Sequence, residues 1–147
     1  MNTEHFRQDH REIHDLVQQL RQMIKLGVED HAPNIIVLLV RIGEKVSQHL
    51  QEEDQQLYLP MAMSKDKNLA DIAIDVQIRM GEIREAFEEF CEVYSTPADI
   101  INNSDGFRQD ASAVFKVLHD RMRFENNELF PLLATCLLYT SPSPRDA

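Results

Sequence analysis

Apolar residues recur every three or four positions over the first half of the chain, the spacing that places side chains on one face of an α-helix. This pattern predicts a first helix that ends at Gly27, a residue that suits a helix end. It predicts a second helix that follows Pro33, a good first-turn residue, and stops at Pro60. The first face contains Phe6, His10, Ile13, Val17, Leu20 and Ile24, and the second contains Ile35, Leu39, Ile42, Val46, His49, Glu53 and Leu57.

The same spacing predicts two further helices in the second half of the chain. The third starts after Ser64 or Asp66, and residues 95–106, rich in Ser, Asn and Asp, are predicted to form a longer connection before the fourth. The third face contains Leu69, Ala73, Val76, Met80, Ile83, Phe87, Phe90 and Tyr94, and the fourth contains Phe107, Ala111, Val114, Leu118, Arg121, Glu125, Leu129 and Leu132. Four such helices with mostly short connections favour an all-α fold, an up-down-up-down antiparallel four-helix bundle.

Polar residues interrupt three of these apolar faces. His10 lies near the start of the first helix, and His49 and Glu53 lie near the end of the second. Arg121 and Glu125 lie toward the end of the fourth. These ends coincide in an up-down-up-down bundle, so the five side chains are expected to meet in the core, where each needs a partner.

Two interpretations of this cluster remain open. Imidazole nitrogen and carboxylate oxygen bind iron, manganese and zinc, so the first interpretation is a metal site. Its candidate ligands are His10, His49, Glu53 and Glu125. In the second interpretation Arg121 pairs with Glu125 in a buried network without a metal, and the protein is an interaction or regulatory module.

Charge and composition narrow the range of partners. A formal net charge of −10 repels a nucleic-acid backbone and an anionic membrane surface. The longest apolar run, residues 35–40, is too short to span a bilayer, so we expect a cytoplasmic protein. Cys91 and Cys136 show neither zinc-site spacing nor a disulfide framework. Since no motif for a catalytic triad, a phosphate loop or a cysteine nucleophile occurs, we expect no enzyme.

The last twelve residues, CLLYTSPSPRDA, differ in composition from the rest of the chain. Pro142 and Pro144 are incompatible with a continued helix. The segment also resembles the translation of a common sequencing adapter. We therefore expect residues 1–135 to form one domain and residues 136–147 to be a non-native or disordered tail.

Three motifs resemble the hemerythrin-like family of cation-binding (HHE) four-helix bundles: DHREIH from Asp9, HLQEEDQQLYLP from His49, and RMRFENNELFP from Arg121. Members of that family hold a non-haem di-iron centre with His and carboxylate ligands, and many bind dioxygen or serve in oxygen, redox or iron-related signalling. The resemblance therefore implies a metal ion and dioxygen as ligands of this protein. It implies metal-binding roles for His10, His49, Glu53 and Glu125.

Two positions depart from the family pattern. The third helix normally supplies a histidine, where this chain has Met80, and the fourth normally carries H-x-x-x-E, where this chain has Arg121. Glu82 and Glu85 are candidate replacements, and His14, one turn after the first candidate ligand, is a candidate second ligand or outer hydrogen-bond donor. We therefore expect a mono- or di-iron centre, with zinc or manganese as the other metals, in a sensory or regulatory role or an oxygen-, redox- or iron-related role rather than bulk oxygen carriage.

Overall fold

The computed structural model describes residues 2–140, and every regular element in this part of the chain is a helix, with no strand. In chain order the helices are α1 (Glu4–Leu26), α2 (Val28–Glu53), α3 (Leu59–Ala62), α4 (Lys67–Val93), α5 (Pro97–Asn102), α6 (Ser104–Phe124) and α7 (Phe130–Thr140). Two π-helical turns, Asp54–Tyr58 and Glu125–Leu129, continue α2 into α3 and α6 into α7. The predicted all-α class is confirmed.

The connection between α1 and α2 is shorter than predicted. Gly27 ends α1 as expected, with a φ of 134° that a residue without a Cβ adopts at little cost. The second helix begins directly at Val28 instead of after Pro33. Pro33 is exposed in the second turn of α2, where its missing N–H removes one backbone hydrogen bond without ending the helix.

The helical path also continues past Pro60, where the sequence predicted a stop. The Leu59 N–H bonds the carbonyl of Asp54, five residues back, and so widens the helix by one residue. Pro60 then occupies the first turn of α3, a position that tolerates a residue without an N–H. The helix ends at Met63.

The predicted connection over residues 95–106 contains the short helix α5. Thr96 Oγ1 accepts the Asp99 N–H at 3.2 Å, and Asp99 Oδ2 accepts the Thr96 N–H at 3.1 Å. This capping box, with Pro97 in the first turn, starts a helix within a segment whose composition predicted a loop. The next long helix, α6, begins at Ser104.

Each of the helices α1 and α4 packs against both α2 and α6. Between α4 and α6 the core is aromatic: Phe90 stacks on Phe107 with ring centres 5.8 Å apart, and Phe87 meets Phe115 at 5.9 Å. Phe90 of α4 meets Phe107 of α6, and the earlier Phe87 meets the later Phe115, so α4 and α6 run in opposite directions. The up-down-up-down order of all four long helices stays a prediction. Nowhere in residues 2–140 is a helix long and apolar enough to cross a membrane.

The buried face of α6 differs from the predicted one. Phe115 and Met122 are buried, whereas Val114 and Arg121 are only partly buried and Leu132 is exposed. The π-helical turn after α6 inserts one residue into the helical path. That turn affects only Leu132, which follows it. On the regular part of α6 the buried face runs through Ala111, Phe115, Leu118 and Met122, a spacing of three and four residues that is as helical as the predicted one.

The last described helix extends beyond the domain boundary expected at residue 135. Its backbone continues through Thr140. Pro142 and Pro144 lie outside the described residues, so the non-native or disordered tail over residues 136–147 stays a prediction.

Candidate metal centre

Glu53 and Glu125 each stand where a π-helical turn begins. Glu53 is the last residue of α2, directly before the first turn, and Glu125 is the first residue of the second turn. In both turns an N–H bonds the carbonyl five residues back, and Pro60 or Pro131 follows two residues after the turn. Proline offers no N–H for a regular α-helical bond, which favours the wider turn. Such turns are frequent at functional sites.

The structure brings all four candidate ligands together in the core. Each contributes one ligand atom to a group whose members all lie within 4.8 Å of one another. His10 Nε2 lies 3.0 Å from His49 Nε2 and 3.1 Å from Glu125 Oε1. Glu53 reaches the same point, with Oε1 3.0 Å from His49 Nε2 and Oε2 3.8 Å from His10 Nε2. The relative exposure of these four residues is only 0 to 3%, so water barely reaches the cluster.

Partners on the outer side of each imidazole aim its Nε2 atom at the cluster. His49 Nδ1–H donates to Asp9 Oδ2 at 3.0 Å, and His10 Nδ1–H donates to Asn126 Oδ1 at 2.8 Å. The Lys45 ammonium lies 2.9 Å from the other oxygen of Asp9 and holds that carboxylate in place. With Nδ1 protonated, each neutral imidazole presents a lone pair on Nε2. This arrangement is the one that metal-binding histidines use.

The centre contains more hydrogen-bond acceptors than donors. Both carboxylate oxygens of Glu53 and the Oε1 atom of Glu125 are buried and form no well-aligned hydrogen bond, although the Nε2 atoms of His49 and His10 lie 3.0 and 3.1 Å from Oε1 of Glu53 and of Glu125. Tyr58 donates its O–H to the other oxygen of Glu125. Buried acceptors left unpaired are costly, so protons or a cation must balance them. Two nitrogen and two carboxylate donors fit iron, manganese or zinc.

Protons and a metal ion compete for this centre. Burial disfavours a charged imidazole, but the nearby Glu125 and Glu53 carboxylates outweigh it and raise the pKa of His10 to about 9. The pKa of His49 is also raised: burial opposes this shift, and Glu53 outweighs the burial. Burial and the negative charge of Glu53 raise the pKa of Glu125. A metal ion must therefore displace protons to bind here.

Arg121 does not form the predicted ion pair with Glu125. Its guanidinium lies over the Phe124 ring at 4.9 Å from the ring centre, and its buried Nε atom has no hydrogen-bond partner. In the described part of the chain no ion pair joins the two side chains, because the Glu125 carboxylate turns inward to Tyr58 and His10. The predicted Arg121–Glu125 pair is therefore wrong, whereas a metal-free module of the same fold stays untested.

The other candidate positions lie outside the cluster. Met80 is buried in the apolar core of α4, whereas Glu82 and Glu85 are exposed on that helix. Among the described residues, α4 contributes no member to the cluster. His14 is exposed on α1 and faces His119 of α6, with ring centres 6.1 Å apart.

Three residues that orient the centre were missed by the sequence analysis. Asp9 directly precedes His10, and Asn126 directly follows Glu125, so both are neighbours of candidate ligands. Tyr58 belongs to the LYLP end of a motif that was already singled out. The signal available in the sequence was a polar residue directly beside a candidate ligand. Helical spacing does not select such a residue, because neighbouring residues of a regular helix point in different directions.

An all-helical fold with a buried cluster of two histidines and two glutamates defines a class of cation-binding helical domains. The chain matches the family model of the hemerythrin HHE cation binding domain over residues 1–133 and belongs to that family. This confirms the resemblance drawn from the three motifs. Neither a curated protein nor a solved structure gave a significant match to the chain.

Proposed function

We propose that this protein binds a metal ion, with non-haem iron as the first candidate, through His10, His49, Glu53 and Glu125. The observation that carries the proposal is the buried cluster of two imidazole nitrogens and two carboxylates within 4.8 Å of one another, in which three carboxylate oxygens form no well-aligned hydrogen bond. Its family is a cation-binding one, which supports the same conclusion. Zinc and manganese suit the same donors and are the alternatives.

We infer that the centre holds a single ion and serves a sensory, regulatory or iron-related role, with dioxygen as a candidate ligand. Four ligand atoms converge on one point. Two positions that supply histidine in the family are Met80 and Arg121 here, which disfavours a full di-iron centre and bulk oxygen carriage. We propose a binding rather than a catalytic function for this centre.

Support for the up-down-up-down order comes from contacts between the long helices. His5 bonds Glu52 and Lys45 pairs with Asp9, so α1 and α2 run in opposite directions. His10 near the start of α1 meets Glu125 just after α6. We infer that the start of α1 and the ends of α2 and α6 lie at one end of the bundle.

Metal content is the direct test. Wild-type protein, purified aerobically and anaerobically without chelator, is expected to hold close to one equivalent of metal by elemental analysis. Glu53→Gln removes a charge from the centre and is expected to lower that content strongly. Asp54→Asn also replaces a carboxylate by an amide, but on an exposed side chain that bonds Gln77. This variant is expected to leave the metal content unchanged. Less than a tenth of an equivalent in every wild-type preparation would refute the proposal.

A metal-free module of the same fold is the second candidate. The raised pKa of His10 favours it, because protonated histidines can balance the carboxylates without a metal. Heating separates the two candidates. Metal at one hundred times its dissociation constant stabilises a protein that binds it by about 3 kcal/mol. An unchanged unfolding temperature with added Fe²⁺, Mn²⁺ or Zn²⁺ would favour the metal-free module.

A further inference from the structure

A pocket between α1 and α6 reaches the back of the candidate metal centre. It encloses about 310 Å³, and its wall includes His10, His14, His119 and Asn126. His10, a candidate ligand, is only 3% exposed to solvent and nevertheless lines this pocket. Asn126 lines the same wall and accepts the hydrogen bond from His10 Nδ1. We call this space the α1–α6 pocket.

Two histidines that the centre does not use face each other at the mouth of this pocket. His14 and His119 are exposed on neighbouring helices, with ring centres 6.1 Å apart. At that separation one nitrogen of each ring can bind the same ion at about 2.1 Å. His14 follows His10 by one helical turn, so the mouth and the buried centre lie on the same side of α1.

The charges around the mouth permit a cation. Arg11 lines the α1–α6 pocket, but its guanidinium bonds Glu4 Oε1 at 2.7 Å and Gln8 Oε1 at 2.6 Å. Asp15 and Arg123 line the same pocket and carry opposite charges. A chain with a net charge of −10 attracts cations to its surface.

We propose that the α1–α6 pocket is the entrance to the metal centre, and that His14 and His119 bind the incoming divalent transition-metal ion at its mouth. The inference rests on the proposed metal-binding function. The ion passes from the two exposed histidines to the buried centre when the side chains of Asn126 and His10 move aside. His14 and His119 therefore set the rate of metal loading and leave the final affinity of the centre unchanged.

Co²⁺ serves as the probe because its visible absorption reports occupancy of the buried centre. Stopped-flow mixing with metal-free protein compares wild type with the double variant His14→Ala/His119→Ala. Both side chains are exposed, so the fold should tolerate the change. The expected result is loading slowed several-fold with the same final Co²⁺ content. His31→Ala, a half-buried histidine at the start of α2, is the control and is expected to load at the wild-type rate.

Histidine ring signals in NMR spectra test the mouth independently of the centre. In His49→Ala, whose centre lacks a ligand, Co²⁺ is expected to perturb the His14 and His119 signals first. Equal loading rates for the double variant and wild type, or no response of these rings to Co²⁺, would overturn the inference. A response to azide or phosphate without one to Co²⁺ would identify an anion site and overturn it as well. Wild type that takes up no Co²⁺ at equilibrium would refute the proposed function itself.

Discussion

Replacing Tyr58 by Phe removes the hydroxyl that donates to the buried carboxylate of Glu125. Tyr58 is 2% exposed and Glu125 is fully buried, so water cannot take the place of the lost hydroxyl. A lost bond that leaves a buried acceptor unpaired costs about 2 kcal/mol. For a domain of this size that corresponds to an unfolding temperature lower by roughly 5–10 °C. Urea denaturation of metal-stripped protein measures the free energy of unfolding directly.

Tyr94 provides a matched control within the same chain. Its hydroxyl donates to Asp110 Oδ2 at 2.6 Å, but that carboxylate is exposed and water can replace the lost donor. Tyr94→Phe is expected to cost less than about 1 kcal/mol. If both variants lose the same stability, or if Tyr58→Phe loses none, then the contact between Tyr58 and Glu125 does not stabilise the centre and the reasoning from burial is refuted.

Three further predictions concern pH, metal affinity and the core. The pKa of His10 rises from 6.5 to about 9 on folding, so protonated His10 stabilises the metal-free protein fully below about pH 6.5. That contribution, about 3 kcal/mol, is lost as the pH rises through 9; urea titrations showing no such fall would contradict it. Asp9→Asn should weaken metal binding by about 10- to 100-fold in calorimetry, because an amide orients His49 less well than a carboxylate does. Glu12→Gln, the control, changes an exposed partner of Lys45 and should leave metal binding unchanged. Phe107→Ala, at a position with 0% exposure, should cost about 3–5 kcal/mol in urea denaturation; a loss below about 1 kcal/mol would show that the aromatic core repacks.

The candidate ligands could be predicted from the sequence because each interrupts an apolar helical face. His10, His49 and Glu53 lie on regular helices, where a spacing of three and four residues follows the buried side closely. Glu125 was predicted for the same reason, although it stands at the end of the regular part of its helix. All four are buried as the periodicity predicted.

The wrong predictions concern helix boundaries and the choice between neighbouring positions on one buried face. Arg121 was placed on the buried face because steps of three and of four residues both fit a helix, and within the regular part of α6 the structure buries Met122 instead. Pro33 and Pro60 were taken as a helix start and a helix stop, but both lie inside helical segments. The preference of proline for the start or end of a helix applies to an isolated regular helix. That preference does not reveal that Gly27 alone connects α1 to α2, or that a π-helical turn precedes Pro60.

The arrangement of donors argues for one ion rather than two. The four candidate ligands come from α1, α2 and the turn after α6, and within residues 2–140 α4 adds none. The buried α4 side chain at the family's histidine position is Met80, whose thioether is a poor ligand for a hard metal ion. Arg121, at the other altered position, is a permanent cation that repels a second metal ion. We therefore expect that Arg121→His alone leaves the metal content near one equivalent, and that only the double variant Met80→His/Arg121→His approaches two equivalents in elemental analysis. Two equivalents in the wild-type protein would contradict this reasoning.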